Sequence, residues 1–397
     1  MFDQVTEAPP DAILGLNEAF LQDKRDQKVN LTVGVYRDEA GRTPILECVK
    51  AAEERLLERE ATKAYLGIAG MPDYHLATAG LLFGTGSAVI EEGRWVAAQT
   101  PGGTGALRVA GEWLRRNELC QRIWCSRPTW ANHHNVFHAA GLDVETYAYL
   151  DETGTALDRD RFLDALRKIP SGDAVCLHGC CHNPTGVDPD GETWQAIAAM
   201  AREQGWLPLI DFAYQGFARG IDEDARAVRA FADAGIEFLV ASSYSKNFGL
   251  YAERTGALTI VAREAGVVPA VGSRLKQVIR ANYSNPPKHG AAIVAMILSD
   301  ETLRTHWEEE VGQMRERISR LRSALVEGLQ REGVSRDVSY LLRQRGMFSY
   351  SGLSPLQVDR LRSEFGIYLV RSGRINMAGL NADNLSYVCR AMAQVMS

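Results

Sequence analysis

The chain has 397 residues, 46% of them hydrophobic, and 44 basic against 50 acidic side chains leave a formal net charge of −6. That length exceeds one ordinary core, so one large domain with a smaller one is expected. The acidic balance argues against nucleic acid as a partner but leaves room for a local positive pocket, which an acidic substrate would need.

Met1 to Glu7 is acidic and lacks an apolar signal core, and no run approaches a membrane span, so a cytoplasmic protein is expected. Residues 1–11 read as an N-terminal arm. The segment Thr100-Pro101-Gly102-Gly103-Thr104-Gly105-Ala106-Leu107-Arg108 puts glycines just before the apolar-periodic run Leu107, Ala110, Trp113, Leu114. Free backbone N–H groups at such a helix start face an anion, although glycines before helices are also ordinary caps and turns. The loop is neither the Gly-x-Gly-x-x-Gly fingerprint nor a Walker loop.

Apolar strands near 122–126, 144–150, 174–179, 207–212, 238–243 and 256–262 alternate with helical patterns, which predicts a parallel α/β sheet. The strand near 174–179 runs into an Asn183-Pro184-Thr185-Gly186 turn. The strand near 207–212 ends on Asp211, with Tyr214 three residues on. The strand near 238–243 runs into Ser243-Tyr244-Ser245-Lys246. Among eight lysines, against thirty-six arginines, Lys246 alone follows a buried-looking strand. Desolvation there would free its lone pair for attack on a carbonyl. Ser243, Ser245 and Arg254 are candidate phosphate ligands nearby.

Leu303, Trp307, Val311, Met314, Ile318, Leu321, Leu325 and Leu329 predict the longest helix, about thirty residues or ~45 Å, long enough to leave one domain and enter another. Its charged stretches Glu308-Glu309-Glu310 and Arg315-Glu316-Arg317 read as a solvated face. The large domain is placed at 45–313, and 12–44 with 314–397 form the small domain. Seven cysteines, an odd number without paired spacing, suit a reducing compartment. Cys176, His178, Cys180 and His182 share parity on one strand, but alternate strand residues lie roughly 6.5 Å apart, so no more than two neighbours reach one tetrahedral ion. No metal is expected.

The carboxyl ends of parallel strands lie along one edge, so Asn183, Asp211 and Lys246 can converge there. Such convergence suits pyridoxal phosphate: an aspartate keeps the pyridinium nitrogen protonated, Asn and Tyr donors hold the ring phenolate, and a lysine takes the aldehyde. Taken singly each residue has a plainer reading, Lys246 as a surface lysine past a strand end and Asp211 as a turn residue or helix cap.

Asn183-Pro184-x-Gly186, Asp211-x-x-Tyr214, Ser243-x-Ser245-Lys246 and Arg254 match in order and spacing the class I, fold-type I pyridoxal phosphate aminotransferases. Within that class the chain resembles the aspartate and aromatic aminotransferases, from Ala12-Ile13-Leu14-Gly15-Leu16 to Arg374-Ile375-Asn376-Met377-Ala378-Gly379. The resemblance implies a ping-pong mechanism in which Lys246 forms the internal aldimine and shuttles a proton. It implies that Asp211 holds the pyridinium, supported by His133, that Tyr214 and Asn183 bond the phenolate, and that Trp130 stacks on the ring. Gly103, Thr104, Ser243 and Arg254 would hold the phosphate, with Tyr65 reaching it from the partner subunit. Arg374 and the backbone of Gly34 would bind the substrate α-carboxylate, and Arg280 would cross the interface of a homodimer with shared active sites to bind the distal carboxylate.

By the same resemblance Thr43, Thr104, Asn285 and Val35 match the aspartate branch, whereas Arg37 and Ala64 depart from its commonest residues. Aspartate with 2-oxoglutarate is the expected pair, and a broad aromatic aminotransferase is the alternative. A rival from another class starts from Ser243-Tyr244-Ser245-Lys246 as the Ser-x-x-Lys of acyl-serine hydrolases, but Arg254-Thr255-Gly256 then stands too early for that family's order. A relic pocket inside a binding module would predict loss of the lysine or of the carboxylate-binding arginines, and all are present.

Overall fold

The computed structural model describes residues 1–7 and 14–397. Residues 8–13, with part of the expected N-terminal arm and Ala12 and Ile13 of the resembling motif, lie outside the described residues. The chain divides into two compact units, Pro44–Glu316 and Met1–Thr43 together with Arg317–Ser397.

The strands are β1 (Val29–Asn30), β2 (Trp95–Pro101), β3 (Arg122–Arg127), β4 (Asp143–Ala148), β5 (Ala174–His178), β6 (Leu207–Phe212), β7 (Phe238–Ser243), β8 (Thr255–Val261), β9 (Phe348–Tyr350), β10 (Ile367–Tyr368) and β11 (Arg374–Asn376). In the Pro44–Glu316 unit seven of them form one sheet in the order β2-β8-β7-β6-β5-β3-β4. Strands β3 to β7 are mutually parallel, joined through helices such as Gly191–Gln204, and β7 is buried at every residue, as a strand covered on both faces should be. The fold is thus α/β with a mostly parallel sheet flanked by helices.

One strand breaks the expected pattern. Only the segment 244–254 separates β7 from β8, with no crossover helix, so β8 returns antiparallel to β7 and to β2. Its amino end therefore lies at the edge where the other strands have their carboxyl ends. The helix Gly102–Arg116 follows β2 directly and buries Ala106, Leu107, Ala110 and Leu114 in a core shared with Leu239, Ala241, Leu258 and Ile260. Each fully buried leucine or isoleucine among them contributes roughly 1.5–3 kcal/mol and each alanine methyl about 0.8 kcal/mol, which fixes the start of this helix against β7 and β8.

Two expectations need correction. Strand β5 ends at His178, so Cys180 and His182 lie in the turn beyond it rather than on one strand with Cys176. The long helix is Glu301–Arg331, with all eight predicted apolar positions buried, but its charged stretches are not simply solvated. Glu310 accepts from the backbone N–H of Glu47 (2.8 Å) and Cys48 (3.0 Å), capping the helix Glu47–Arg59, whose first N–H groups have no partner within the helix. Arg317 is only 8% exposed and donates to the carbonyls of Arg37 (2.8 Å), Asp38 (3.2 Å) and Leu380 (3.0 Å).

In the other unit β1 pairs parallel to β10, and β9 pairs antiparallel to β11. Asn376 at the end of β11 donates from its side chain to the carbonyls of Val33 (2.6 Å) and Val35 (2.9 Å), which fixes the path of the segment around Gly34.

Candidate active site

The carboxyl edge of the seven-stranded sheet gathers the chemistry. His178 ends β5 and stands in register with Asp211 on β6, Ser243 ends β7, and Lys246 follows three residues later. Because β8 runs backwards, Arg254 just before it arrives at the same edge: Ser243 pairs with Gly256, and Thr255 pairs with Pro101 at the end of β2.

Asp211 is a carboxylate with 11% of its side chain exposed, and His133 beside it is fully buried, their Oδ2 and Nε2 atoms 3.1 Å apart. Burial alone would raise the carboxyl, but the bond and charge of His133, with smaller help from the Lys246 charge, hold it below its ordinary value. Burial likewise opposes a charge on His133, and the bond and charge of Asp211 outweigh it, so the imidazole is raised and the two form an ion pair. Burial, reinforced by the His133 charge, pushes His178 down to about 3, so that ring is neutral. As an imidazolium, His133 donates from Nε2 to Asp211 and from Nδ1 to Thr129 Oγ1 (2.8 Å), whose hydroxyl donates to His178 Nε2 (3.0 Å). Sequence reasoning missed Thr129 and weighed His178 only as a metal ligand; the pairing of His178 with Asp211 across β5 and β6 is the signal that would have found it.

Around this pair, Lys246 Nζ lies 5.1 Å from the centroid of the buried Tyr214 ring, and Trp130 meets His133 edge-on at 5.3 Å. Asn183 is buried in a turn held by Asp188, which accepts from the N–H groups of Cys181 and His182, each at 2.8 Å.

An anion cradle lies alongside. Gly102 has φ +70°, and a Cβ there would come 2.6 Å from Arg254 Nη2; one on Gly103 would come 2.9 Å from Ser243 Cβ, and one on Gly256 would come 2.4 Å from the Gly102 carbonyl carbon. Only glycines let β8, the Ser243 turn and the start of the 15-residue helix Gly102–Arg116 approach this closely. The first N–H groups of that helix, at Gly103 and Thr104, have no partner within it and carry its positive dipole end. Ser243 Oγ lies 3.2 Å from Ser245 Oγ, and Arg254 Nη1 donates to Ser245 Oγ at 3.4 Å. Arg254 itself sits at φ +52°, a left-handed conformation that costs a non-glycine residue energy.

Four further residues are expected at the site. Tyr65 is 92% exposed, and Arg280, exposed near the end of the helix Val268–Asn282, binds the Ser284 hydroxyl. Gly34 and Arg374 belong to the other unit. There Arg374 is 4% exposed, donates to the Thr32 carbonyl (2.6 Å) and lies 4.1 Å from the Phe348 ring centroid, and a Cβ on Gly34 would come 2.9 Å from the same ring.

The sequence matches the family described as aminotransferase class I and II over residues 26–392. It is 54% identical to an aspartate aminotransferase of Escherichia coli over 396 residues, covering 100% of each chain. It is 49% identical to an aromatic-amino-acid aminotransferase of Pseudomonas aeruginosa, covering 99% of this chain and 98% of that one. Among solved structures, an aromatic-amino-acid aminotransferase from Burkholderia pseudomallei covalently bound to pyridoxal phosphate superposes with a TM-score of 0.97 at 47% identity, covering 100% of both chains. The chain belongs to the class I and II aminotransferases. It is a transaminase, and its cofactor is pyridoxal phosphate.

The residues present fit that group. The cradle offers a guanidinium, hydroxyls and a helix start to a phosphate dianion, at a spacing that a single added Cβ would close. Asp211 is held ionised in a nearly dry setting, as pairing with a protonated ring nitrogen requires.

Proposed function

We propose that this transaminase moves the amino group of L-aspartate to 2-oxoglutarate by a ping-pong mechanism. The observation that carries the proposal is the Asp211–His133 ion pair at the sheet edge that also presents Lys246 and the anion cradle. Pyridoxal phosphate, when bound, supplies an aldehyde that exchanges amines and a ring that accepts the electron pair left on the substrate α-carbon. Asp211 holds the ring nitrogen and its proton, and His133 holds Asp211 in its ionised form. Tyr214 and Asn183 would donate to the ring oxygen, and Trp130 would hold the ring from one side. Gly103, Thr104, Ser243, Ser245 and Arg254 hold the phosphate. Lys246 would hold the aldehyde end of the group, and its Nζ would take the proton from the substrate α-carbon and later return it.

Gly34 and Arg374 grip the α-carboxylate, and Arg280 grips the distal one. The working unit is a cytoplasmic homodimer in which Tyr65 and Arg280 serve the partner's site; their exposure on the isolated chain leaves both available for that. Residues 45–313 act as the cofactor-binding domain, 12–44 with 314–397 as the smaller domain, and 1–11 as an arm. Aspartate is supported by Thr43, Thr104, Asn285 and Val35 and by the greater identity to the E. coli aspartate enzyme than to the P. aeruginosa aromatic one. A second reading, broad use of aromatic amino acids, is favoured by Ala64, which lines an open cavity of about 520 Å³ with Tyr65 and Asn285 and leaves space for a larger side chain.

The test is kcat/KM for aspartate and phenylalanine in wild type, Arg280→Ala and Arg374→Ala. Losing Arg374 should weaken both substrates. Losing Arg280 should cost aspartate roughly 2–5 kcal/mol, or about thirty- to several-thousand-fold, and leave phenylalanine little changed. Equal losses in the Arg280 variant would remove the main support for a dicarboxylate substrate.

A further inference from the structure

Two thiols lie together under the Asp211–His133 pair. Strands β3 and β5 pair Ile123 with Ala174 and Trp124 with Val175, and continuing that register brings Cys125 opposite Cys176. Both are buried, Cys125 at 0% and Cys176 at 1% exposure, and neither takes part in the proposed reaction. Cys176 Sγ is 3.9 Å from His133 Nε2, and the ligand atoms of Cys125, Cys176 and His133 all lie within 4.8 Å of one another.

We propose that Cys125, Cys176 and His133 form a site for a thiophilic d10 cation, of which Zn²⁺ is the expected ion. Zinc takes sulfur at about 2.3 Å and imidazole nitrogen at about 2.0–2.1 Å, which sets the donors roughly 3.5–3.8 Å apart in a tetrahedron, with water in the fourth position. The three donors, at most 4.8 Å apart, need contract by no more than about 1.3 Å to reach that geometry. The cysteine and histidine alternation after residue 176 does not supply this site; the second sulfur comes from the neighbouring strand.

A second cluster, Cys180, Cys181 and Asp224, is less suited. The Asp224 carboxylate already accepts from the N–H groups of Gly216 (2.8 Å), Ala218 (2.9 Å) and Arg219 (2.9 Å).

Binding has a defined balance. Each thiol releases one proton and the His133 imidazolium releases its Nε2 proton, so Zn²⁺ replaces three protons, and affinity rises with pH. His133 keeps its Nδ1–H towards Thr129. Its Nε2 cannot bind the metal and donate to Asp211 at once, so occupancy strips Asp211 of its cationic partner. This effect on the enzyme rests on the role proposed above for Asp211, whereas the binding site rests on the donor geometry alone.

The test titrates the purified holoenzyme with Cd²⁺, followed by the ultraviolet thiolate-to-metal absorption, and counts bound Zn²⁺ by equilibrium dialysis. One ion per chain is expected, with affinity falling at least tenfold in Cys125→Ala and in Cys176→Ala and unchanged in Cys181→Ala. Without added metal both single variants should transaminate like wild type, and Zn²⁺ should inhibit wild type at concentrations that leave Cys125→Ala active. No thiolate band, a band undiminished in both single variants, or a band lost in Cys181→Ala instead would overturn the site. If the ion binds as expected but metal-free wild type shows no transamination of aspartate, the site stands and the proposed substrate fails.

Discussion

The same strands end in two different environments. At their carboxyl edge stand a buried ion pair, an amine, a strained arginine and a cluster of glycines. At the amino ends of β6 and β7 the chain builds a cavity of about 520 Å³ whose wall includes the apolar Trp113, Trp206, Leu207, Phe238 and Leu239 and the exposed charges Arg202, Glu237, Arg263 and Arg274. There the indole N–H groups of Trp113 and Trp206 are buried without a hydrogen-bond partner among the described residues, a loss worth roughly 1–3 kcal/mol each that surrounding apolar burial must offset. The contrast teaches a division of labour: the amino end keeps its charges at the surface around an apolar core, and the carboxyl end buries them.

Substitutions at the two ends should therefore separate rate from stability. The largest effect is expected for Lys246→Ala, which should lower turnover by several powers of ten while leaving the unfolding midpoint close to wild type, since positioned acid–base catalysis alone is worth about a hundred- to ten-thousand-fold. Near-normal transamination by that variant would break the comparison at the carboxyl edge. At the amino edge, Trp206→Ala should cost about 3–5 kcal/mol in denaturant unfolding and leave kcat and KM nearly unchanged. A large loss of kcat with unchanged stability would show that the amino edge takes part in the chemistry.

The smallest effect concerns pH. The folded protein raises His133 above its unfolded value, so the stabilisation this residue contributes is complete below about pH 6.5 and fades as pH rises through the raised value. The stability difference between wild type and His133→Phe, measured by urea unfolding, should accordingly shrink between about pH 6 and pH 9. A difference that grows over that interval would mean His133 is neutral in the fold.

Much of the large sheet was legible because β3 to β8 are apolar runs punctuated by turn residues, and the helix Glu301–Arg331 because its apolar residues recur at three- and four-residue steps. Strand β2 was not, since Trp95-Val96-Ala97-Ala98-Gln99-Thr100-Pro101 lacks a clear alternation and its last residue is a proline at a sheet edge. The direction of β8 escaped for a different reason: periodicity carries no sign, and only the short segment 244–254 hints at a return. Glu310 and Arg317 look like surface charges in the sequence because their partners are backbone groups far away in the chain. At the candidate site, Asp211 and Lys246 stand out at strand ends, whereas Thr129 between His133 and His178 and the pairing of Cys125 with Cys176 depend on which strands are neighbours, which one-dimensional patterns do not encode.

The left-handed backbone at Arg254 sets durability against affinity at one position. Glycine adopts φ +52° freely, whereas an L-residue with a side chain forfeits roughly 1–2 kcal/mol there, so a glycine would make the fold harder to unfold. It would also take the guanidinium away from Ser245 and from the helix start at Gly102. A search for heat-resistant variants of this chain would be drawn to Arg254 and would return proteins that last longer but lack the guanidinium beside Ser245 and Gly102.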